Sequence, residues 1–211
     1  MIIALHGYVD RSIYDTIDYT THYADELARA GFLVLHPNLR SYSPSDIGDN
    51  SFRVGMAIDV LNLAALVREQ AGKPGPLVHA DPQRIGIWGH SMGGGIILRV
   101  ITISPDIRAA VLYGSASGDD RLNYELIYGQ TSNETHGIME LQAPEDALQR
   151  ISPINYLENI QAAISIHHGE LDAEVPLDWS QDLCRHLQTL GKSVECFTYK
   201  NQGHLFTTDS D

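Results

Sequence analysis

The chain has 211 residues and a formal net charge of −13, from 27 acidic and 14 basic side chains. That length fits one domain, and a content of 43% hydrophobic and 19% charged residues argues against a disordered or fibrous protein. The excess of acids argues against nucleic acid and anionic membranes as partners, because both would repel the chain on average.

The first residues run directly into an apolar segment, without a basic leader or an apolar stretch long enough to span a bilayer. We therefore expect a cytoplasmic protein. The two cysteines, Cys184 and Cys196, lack the paired spacing of zinc sites and are interpreted as reduced thiols. A disulfide between them is the alternative, since one is predicted on a helix and the other on the next strand. No metal or other cofactor is expected.

Short apolar runs alternate with longer segments of helical period, which is typical of a mostly parallel sheet flanked by helices. In chain order, the strands are predicted at 2–5, 32–35, 84–88, 109–113, 163–168 and 194–199. The intervening helices are predicted before Gly31, from Val54 to about Gly72, from Ile96 to Ile103 and from Trp179 to Leu190. Residues 115–152 are polar and weakly helical, and we interpret them as a short cap. The sequence thus predicts a single α/β domain over 1–211 with a cap at about 115–152.

A Gly-x-Ser-x-Gly motif lies between the third strand and the helix that follows it. Its serine is Ser91 and its glycines are Gly89 and Gly93. Such a turn lifts the serine hydroxyl above the strand ends, and side chains at the two glycine positions would collide with neighbouring backbone. The bare motif also occurs as a simple glycine-rich turn, but the strand before it and the helix after it favour a nucleophile.

A serine hydroxyl needs a base, and the base needs an acceptor that fixes its tautomer. His204 follows the last strand and is therefore predicted at the same end of the sheet as Ser91. Asp172 follows the preceding strand and is the preferred acid, with Glu170 and Glu174 as alternatives. The chain order Ser, Asp, His is the one expected for this kind of sheet.

Three other histidines lie close to these positions in the sequence. His90 precedes the nucleophile and is expected to point away from the site, and His167 and His168 end a strand. For all three, packing or a satisfied polar contact is the preferred interpretation.

A tetrahedral intermediate also needs donors for its oxyanion. The backbone amide of Met92 is the first candidate. The amide of Tyr8 is the second, because Gly7 lets the backbone approach the reacting group in the turn after the first strand. The alternatives are a simple glycine turn and a packed tyrosine.

Together these residues resemble the α/β-hydrolase superfamily, in particular prolyl oligopeptidase-like catalytic domains and dienelactone hydrolase-like esterases. The resemblance is carried by Leu5-His6-Gly7, the helix end at 27–31, the segment 37–46, the Ser91 turn, Ser152 to Asn155, His168 to Pro176 and Gly203-His204. It implies an α/β-hydrolase core and serine-dependent hydrolysis. Dienelactone hydrolases use a cysteine nucleophile, so the serine in this chain weakens that particular activity.

The family usually has two strands before the one that leads into the oxyanion turn, whereas here the chain begins with that strand. The pattern is that of a minimal or trimmed core lacking the usual first two strands. The strand predicted at 32–35 then becomes a sheet edge, and a homodimer through this edge is one hypothesis.

The preferred function is therefore that of a carboxylesterase-like serine hydrolase acting on small esters through an acyl-enzyme. The first alternative is a small peptidase or aminoacyl hydrolase of prolyl oligopeptidase-like type, acting on short peptides. The second is a non-catalytic binding domain that keeps the fold.

Overall fold

A computed structural model of the protein describes residues 1–17, 20–130 and 137–206, and in these residues six parallel strands form one sheet. The strands are β1 (Ile2–Leu5), β2 (Val34–Leu35), β3 (Ile85–His90), β4 (Ile107–Tyr113), β5 (Ala163–Gly169) and β6 (Val194–Tyr199). The predicted α/β fold is confirmed, and every strand pair in the described part of the chain is parallel.

Helices connect the strands. They are α1 (Thr20–Arg29), α2 (Val54–Gln70), α3 (Met92–Ile103), α4 (Asp120–Gln130), α5 (Ile138–Leu141), α6 (Glu145–Ile151) and α7 (Leu177–Thr189), with 3-10 segments at Ser51–Arg53 and Pro153–Asn159. Helices α4 to α6 occupy the region interpreted as a cap, and its covering of the site stays a prediction. No helix within the described residues has both the length and the apolar content to cross a membrane.

The main hydrophobic core joins the sheet to α2, α3 and α7, with Ile87, Ile97 and Leu187 among its members. A smaller cluster contains Ala24 of α1 and Trp88 of β3. Ile87 and Trp88 are neighbours in the chain and lie in different clusters because successive strand side chains point to opposite faces. Most residues of α3 are buried, and each buried Ile or Leu contributes about 1.5–3 kcal/mol, so the start of this helix is firmly anchored.

The strand order is β2-β1-β3-β4-β5-β6, so the chain runs first to one side of β1 and then to the other. Open α/β sheets form their sites beside such a reversal, at the carboxyl ends of the strands. Here β1 leads to His6, β3 to Ser91, β5 to Asp172 and β6 to His204. The topology therefore brings the predicted site residues to one end of the sheet.

Strand β2 lies at an edge of the sheet and is shorter than predicted. It pairs only with β1, through Ile2 with Val34 and Ile3 with Leu35. Phe32 lies outside the strand, and its side chain is exposed. An edge strand pairs with one neighbouring strand, so fewer hydrogen bonds fix its ends. The pairing of this edge with a second copy of the chain stays a prediction.

The interpretation of the two cysteines as reduced thiols is wrong for this structure. Cys184 on α7 and Cys196 on β6 form a disulfide, with their Cα atoms 6.4 Å apart. This separation is within the usual range for a disulfide, and it arises because α7 packs beside β6 with the Cys184 side chain buried against the sheet. The bond links α7 to the strand that leads to His204.

Candidate active site

Ser91 occupies a sharp turn between β3 and α3. Its backbone has φ 53° and ψ −117°, a conformation that side-chain-bearing residues rarely adopt and that persists only when the surroundings impose it. The surroundings do so through hydrogen bonds. The Ser91 amide donates to the Tyr113 carbonyl at 2.9 Å, and the Ser91 carbonyl accepts from the amides of Gly95 at 3.2 Å and Ala116 at 3.0 Å.

The glycines on either side of Ser91 allow this turn to form. A Cβ atom at Gly89 would lie 2.7 Å from the carbonyl carbon of Gly93. A Cβ atom at Gly93 would lie 2.6 Å from the carbonyl oxygen of Leu5 and 2.8 Å from that of His6. Since real Cβ contacts are not that short, the first turn of α3 can pack on the end of β1 only when both positions are glycine.

Asp172 and His204 form a hydrogen-bonded pair. The Nδ1 atom of His204 lies 2.7 Å from Oδ2 of Asp172, and the Asp172 side chain is fully buried. Because an ionised carboxylate only accepts hydrogen bonds, this contact places the proton on Nδ1 and makes Nε2 the basic nitrogen. The arrangement is the one that a general base requires.

The pair lies beside the Ser91 turn. A Cβ atom at Gly114 would be 3.2 Å from Nδ1 of His204 and 3.4 Å from Oδ2 of Asp172. Gly114 directly follows Tyr113, whose carbonyl accepts the hydrogen bond from the Ser91 amide. The structure thus brings the three residues predicted as a triad to the same end of the sheet, after β3, β5 and β6.

The two alternative acids are placed differently. Glu174 is largely exposed, and its carboxylate lies 3.7 Å from Nε2 of His204, the nitrogen opposite the one that Asp172 contacts. Glu170 is exposed, and its backbone amide donates to the Tyr199 carbonyl at 2.9 Å. Asp172 is therefore the acid whose geometry suits the orientation of the base.

The predicted oxyanion donors lie in two segments that contact each other. Met92 is the first residue of α3, where the backbone amide has no acceptor within the helix. In the facing turn, His6 Nδ1 lies 2.7 Å from the Gly7 carbonyl. Since the carbonyl and amide of a trans peptide point in opposite directions, this bond turns the Tyr8 amide away from His6. The Tyr8 side chain is exposed rather than packed.

His168 contacts the acid, which the sequence did not reveal. Its Nε2 atom lies 3.2 Å from Oδ2 of Asp172 and 3.1 Å from the Val175 carbonyl, and its Nδ1 atom lies 2.7 Å from the Ser180 hydroxyl. The interpretation as a satisfied polar contact is confirmed, and the contacts of His168 also reach Asp172. The spacing of four residues between His168 and Asp172, at the end of a strand, was the available signal.

Asp172 is ionised in this environment. Burial alone would raise its pKa, but hydrogen bonds from His168 and His204 and from the Val175 amide outweigh burial and hold the pKa well below its ordinary value. The negative charge of Asp172 is thus available at neutral pH to stabilise a protonated His204.

The expectation that His90 points away from the site is wrong. Its Nε2 atom lies 2.9 Å from the His204 carbonyl, and the two imidazole rings are 4.4 Å apart. The reason is that β3 ends beside the turn after β6, so the last side chain of β3 packs under the base. Burial lowers the pKa of His90 to about 4, and the facing His204 adds a smaller effect in the same direction.

His90 should make folding sensitive to mild acid. Its pKa is lowered from the ordinary histidine value of 6.5, so between pH 6.5 and about 4 the unfolded chain binds a proton that the folded chain does not. Stability is therefore retained above pH 6.5 and decreases as the pH falls. We expect the free energy of unfolding to lose about 2 kcal/mol between pH 7.5 and 5.0 through this residue. Urea unfolding of wild type and His90→Gln at both pH values measures the difference.

The control for this experiment is His79→Gln, which replaces an exposed histidine. We expect it to keep the wild-type pH dependence. Identical pH dependence of stability in wild type and His90→Gln would contradict the assignment of a neutral, buried His90.

Comparisons with known proteins identify similar sequences and structures. A model of the prolyl oligopeptidase family matches residues 74–211. The uncharacterized peptidase YuxL of Bacillus subtilis is 26% identical over 132 residues, which cover 60% of this chain and 19% of YuxL. A probable 2-oxo-3-(5-oxofuran-2-ylidene)propanoate lactonase of a Bradyrhizobium species is 24% identical over 193 residues, covering 89% of this chain and 67% of that protein.

Among solved structures, an acylaminoacyl peptidase in complex with Z-Gly-Gly-Phe-chloromethyl ketone superposes with a TM-score of 0.72 at 23% identity. The match covers 100% of this chain and 33% of the peptidase. The chain therefore shares the fold of the matched part of this peptidase, and it spans about a fifth of YuxL and a third of the acylaminoacyl peptidase.

Proposed function

The chain belongs to the prolyl oligopeptidase family, and on that premise we propose that it is a serine hydrolase that cleaves carboxylic esters of small substrates. The observation that carries the proposal is the buried Asp172 hydrogen-bonded at 2.7 Å to Nδ1 of His204, beside the constrained Ser91 turn. A serine in that turn with a base of fixed tautomer has what nucleophilic catalysis requires.

The proposed reaction has two halves. In the first, Nε2 of His204 takes the hydroxyl proton as Oγ of Ser91 bonds to the acyl carbon, and the oxyanion accepts hydrogen bonds from the amides of Met92 and Tyr8. His204 then gives the proton to the departing alkoxide, which leaves an acyl-serine and a free alcohol. In the second half, His204 takes a proton from water as its oxygen attacks the acyl carbon. Return of that proton to Oγ releases the carboxylic acid.

Asp172 contributes by stabilising the imidazolium that forms in both halves. It lies on Nδ1 and stays ionised, so it holds the ring in one orientation and balances the new positive charge. The carboxylate itself does not take up the proton.

The lactonase relative supports an ester substrate. The match covers 89% of this chain and 67% of the lactonase, and a lactone is a cyclic ester. A short aliphatic ester is the simplest probe of that chemistry.

The proposal predicts that the purified chain hydrolyses p-nitrophenyl acetate and butyrate and is labelled stoichiometrically at Ser91 by a fluorophosphonate. We expect Ser91→Ala to abolish labelling and to lower turnover by about 10⁶-fold, to the level of the assay background. Ser115→Ala is the matched control, since the Ser115 hydroxyl donates to the Ala116 carbonyl at 2.9 Å, a bond to the next residue in the chain. Equal turnover in wild type and Ser91→Ala would refute the proposal.

A peptidase or aminoacyl hydrolase is the second candidate, favoured by the family model and by the resemblance to YuxL. Amides have poorer leaving groups than esters, so the ratio of the two activities separates the candidates. Rates on aminoacyl p-nitroanilides comparable with those on p-nitrophenyl esters would favour the peptidase. Absence of fluorophosphonate labelling would instead favour a non-catalytic binding domain.

A further inference from the structure

Strand β5 carries two consecutive histidines whose side chains lie in different surroundings. His167 lies between two hydroxyls, with Nε2 at 2.8 Å from Ser165 Oγ and Nδ1 at 2.7 Å from Tyr199 Oη. His168 points to the opposite face and is completely buried, next to Asp172. Each histidine has a serine partner, but only His168 reaches the acid of the site.

The contacts of His168 define which nitrogen carries its proton. A backbone carbonyl only accepts hydrogen bonds, so the contact of 3.1 Å with the Val175 carbonyl requires a proton on Nε2. The same N–H also lies beside the carboxylate, since Nε2 is 3.2 Å from Oδ2 of Asp172. In the neutral ring, Nδ1 accepts from the Ser180 hydroxyl at 2.7 Å. Ser180 therefore holds the ring in the tautomer whose N–H lies next to Asp172.

Asp172 is held by donors on both of its oxygens. Oδ1 accepts from the backbone amides of Glu174 at 2.9 Å and Val175 at 2.8 Å. Oδ2 accepts from His204 at 2.7 Å and faces the His168 N–H at 3.2 Å. Within the described residues, loss of His168 would leave Oδ2 with one side-chain donor, the His204 ring that Asp172 has to orient.

The partners of His168 are themselves held in place by the fold. Ser180 is buried and lies on α7, which the disulfide joins to β6. Val175 is hydrogen-bonded to both residues, because its amide donates to Asp172 while its carbonyl accepts from His168. We therefore expect a change in the orientation of the His168 ring to move the Asp172 carboxylate.

We propose that His168, oriented by Ser180, is a positioning residue for Asp172. The proposal rests on the proposed function, because it concerns the acid of that reaction. The N–H of His168 keeps the carboxylate aligned with Nδ1 of His204, and a displacement of about 1 Å in such a group costs about a hundredfold in rate.

The test compares two serine–histidine pairs on the same strand. His168→Met removes the donor at similar volume, and we expect it to lower kcat by about a hundredfold with KM within about twofold of wild type. His168→Gln keeps an N–H near the position of Nε2, so its kcat should be at least about tenfold higher than that of His168→Met. A tenfold change in rate corresponds to a small change in the activation free energy. Ser180→Ala should lower kcat by about tenfold, an effect of the same scale.

His167→Met and Ser165→Ala are the matched controls, and both should keep kcat close to wild type. All rates are divided by the concentration of sites titrated with the fluorophosphonate, which removes the effect of misfolded protein. Equal losses in the two pairs, or no loss in His168→Met and Ser180→Ala, would overturn the proposal. If His168→Met does not fold, the smaller change Ser180→Ala decides the outcome against Ser165→Ala.

A measurement without turnover separates this proposal from the proposed function. Nitrogen-15 spectra of the histidine rings distinguish a proton on Nε2 from one on Nδ1. We expect the Nε2–H form at His168 in wild type and a mixture of forms in Ser180→Ala. An Nδ1–H form in wild type would overturn the positioning role even in an active enzyme. An inactive wild type with the Nε2–H form would refute the hydrolase and leave the support of Asp172 established.

Discussion

Asp172→Asn should lower kcat on a short ester by about 10⁴-fold, the scale expected when the aspartate of a serine–histidine–aspartate triad is replaced by its amide. The structure determines how the asparagine would be oriented. The amides of Glu174 and Val175 donate to Oδ1, at 2.9 and 2.8 Å, so this position must remain the acceptor oxygen. The new NH₂ group then replaces Oδ2 and faces Nδ1 of His204.

That orientation reverses the tautomer of the base. An NH₂ group donates, so it favours a proton-free Nδ1 and moves the ring proton to Nε2. His204 in this form cannot accept the proton of Ser91. The same NH₂ group would also face the N–H of His168, donor against donor, so the asparagine loses both of the contacts that Oδ2 makes in the wild type.

The rate of acylation by p-nitrophenyl butyrate, per folded site, measures this effect. Glu170→Gln is the control, since it removes one exposed charge from the same loop. We expect it to keep turnover within about threefold of wild type, because exposed charges contribute little to local energetics. Glu174→Gln, whose carboxylate lies 3.7 Å from Nε2 of His204, tests the other alternative acid and should lose far less turnover than Asp172→Asn. Near-normal rates in Asp172→Asn, with a large loss in either glutamine variant, would reassign the acid.

Much of the fold could be predicted because its signals are local. The bounds of β6 agree with the prediction, since the strand is set off by Gly191 and by the turn at Asn201. The turn at Ser91 was predictable for a related reason. A strand, a serine between two glycines and a helix follow one another within about 20 residues, so no long-range contact is needed to recognise them.

The parts that could not be predicted depend on contacts between distant elements. The disulfide requires α7 to present Cys184 toward β6, and the rotation of a helix about its axis is decided by packing. The role of His168 depends on a loop that folds back so that Asp172 and the Val175 carbonyl meet one nitrogen. Neither the strand period of two residues nor the helix period of 3.6 residues indicates that a loop folds back in this way. Periodicity alone therefore predicted only that His168 lies at the end of a strand.

The position of His90 was missed for the same kind of reason. Alternation along β3 predicts that His90 points to the face opposite its neighbours, but it does not reveal what occupies that face. The turn after β6 occupies that face, and its His204 carbonyl lies 2.9 Å from Nε2 of His90. The predicted placement of His204 was nevertheless useful, because all strands of a parallel sheet end at the same side.

Gly93→Ala should disturb both stability and turnover through a single methyl group. The added Cβ would lie 2.6 Å from the Leu5 carbonyl oxygen and 2.8 Å from that of His6, and both atoms belong to backbone that is buried at the end of β1. Alanine is a better helix former than glycine by about 1 kcal/mol, which acts in the opposite direction. Crowding in a packed interior costs about 1–3 kcal/mol, so we expect a net loss of stability.

The effect on turnover should be the larger of the two. To relieve the contact, the first turn of α3 must move away from the turn that contains Tyr8, and this separates the two amides proposed to bind the oxyanion. The loss of one such donor typically costs about 10²–10³ in kcat. We therefore expect Gly93→Ala to lower kcat by about that factor while a fluorophosphonate still labels Ser91 slowly.

Gly129→Ala is the matched control for Gly93→Ala. Gly129 lies in α4, and among the described residues outside the backbone of its own helix no heavy atom is within 4 Å of its added Cβ, so the change adds helix propensity without crowding these residues. We expect it to leave kcat unchanged and to raise the free energy of unfolding by up to about 1 kcal/mol. Urea unfolding and kcat on p-nitrophenyl acetate give both quantities for each variant. If Gly93→Ala kept wild-type turnover, the start of α3 and the turn after β1 would not act together on the substrate, and the assignment of the Tyr8 amide would have to be abandoned.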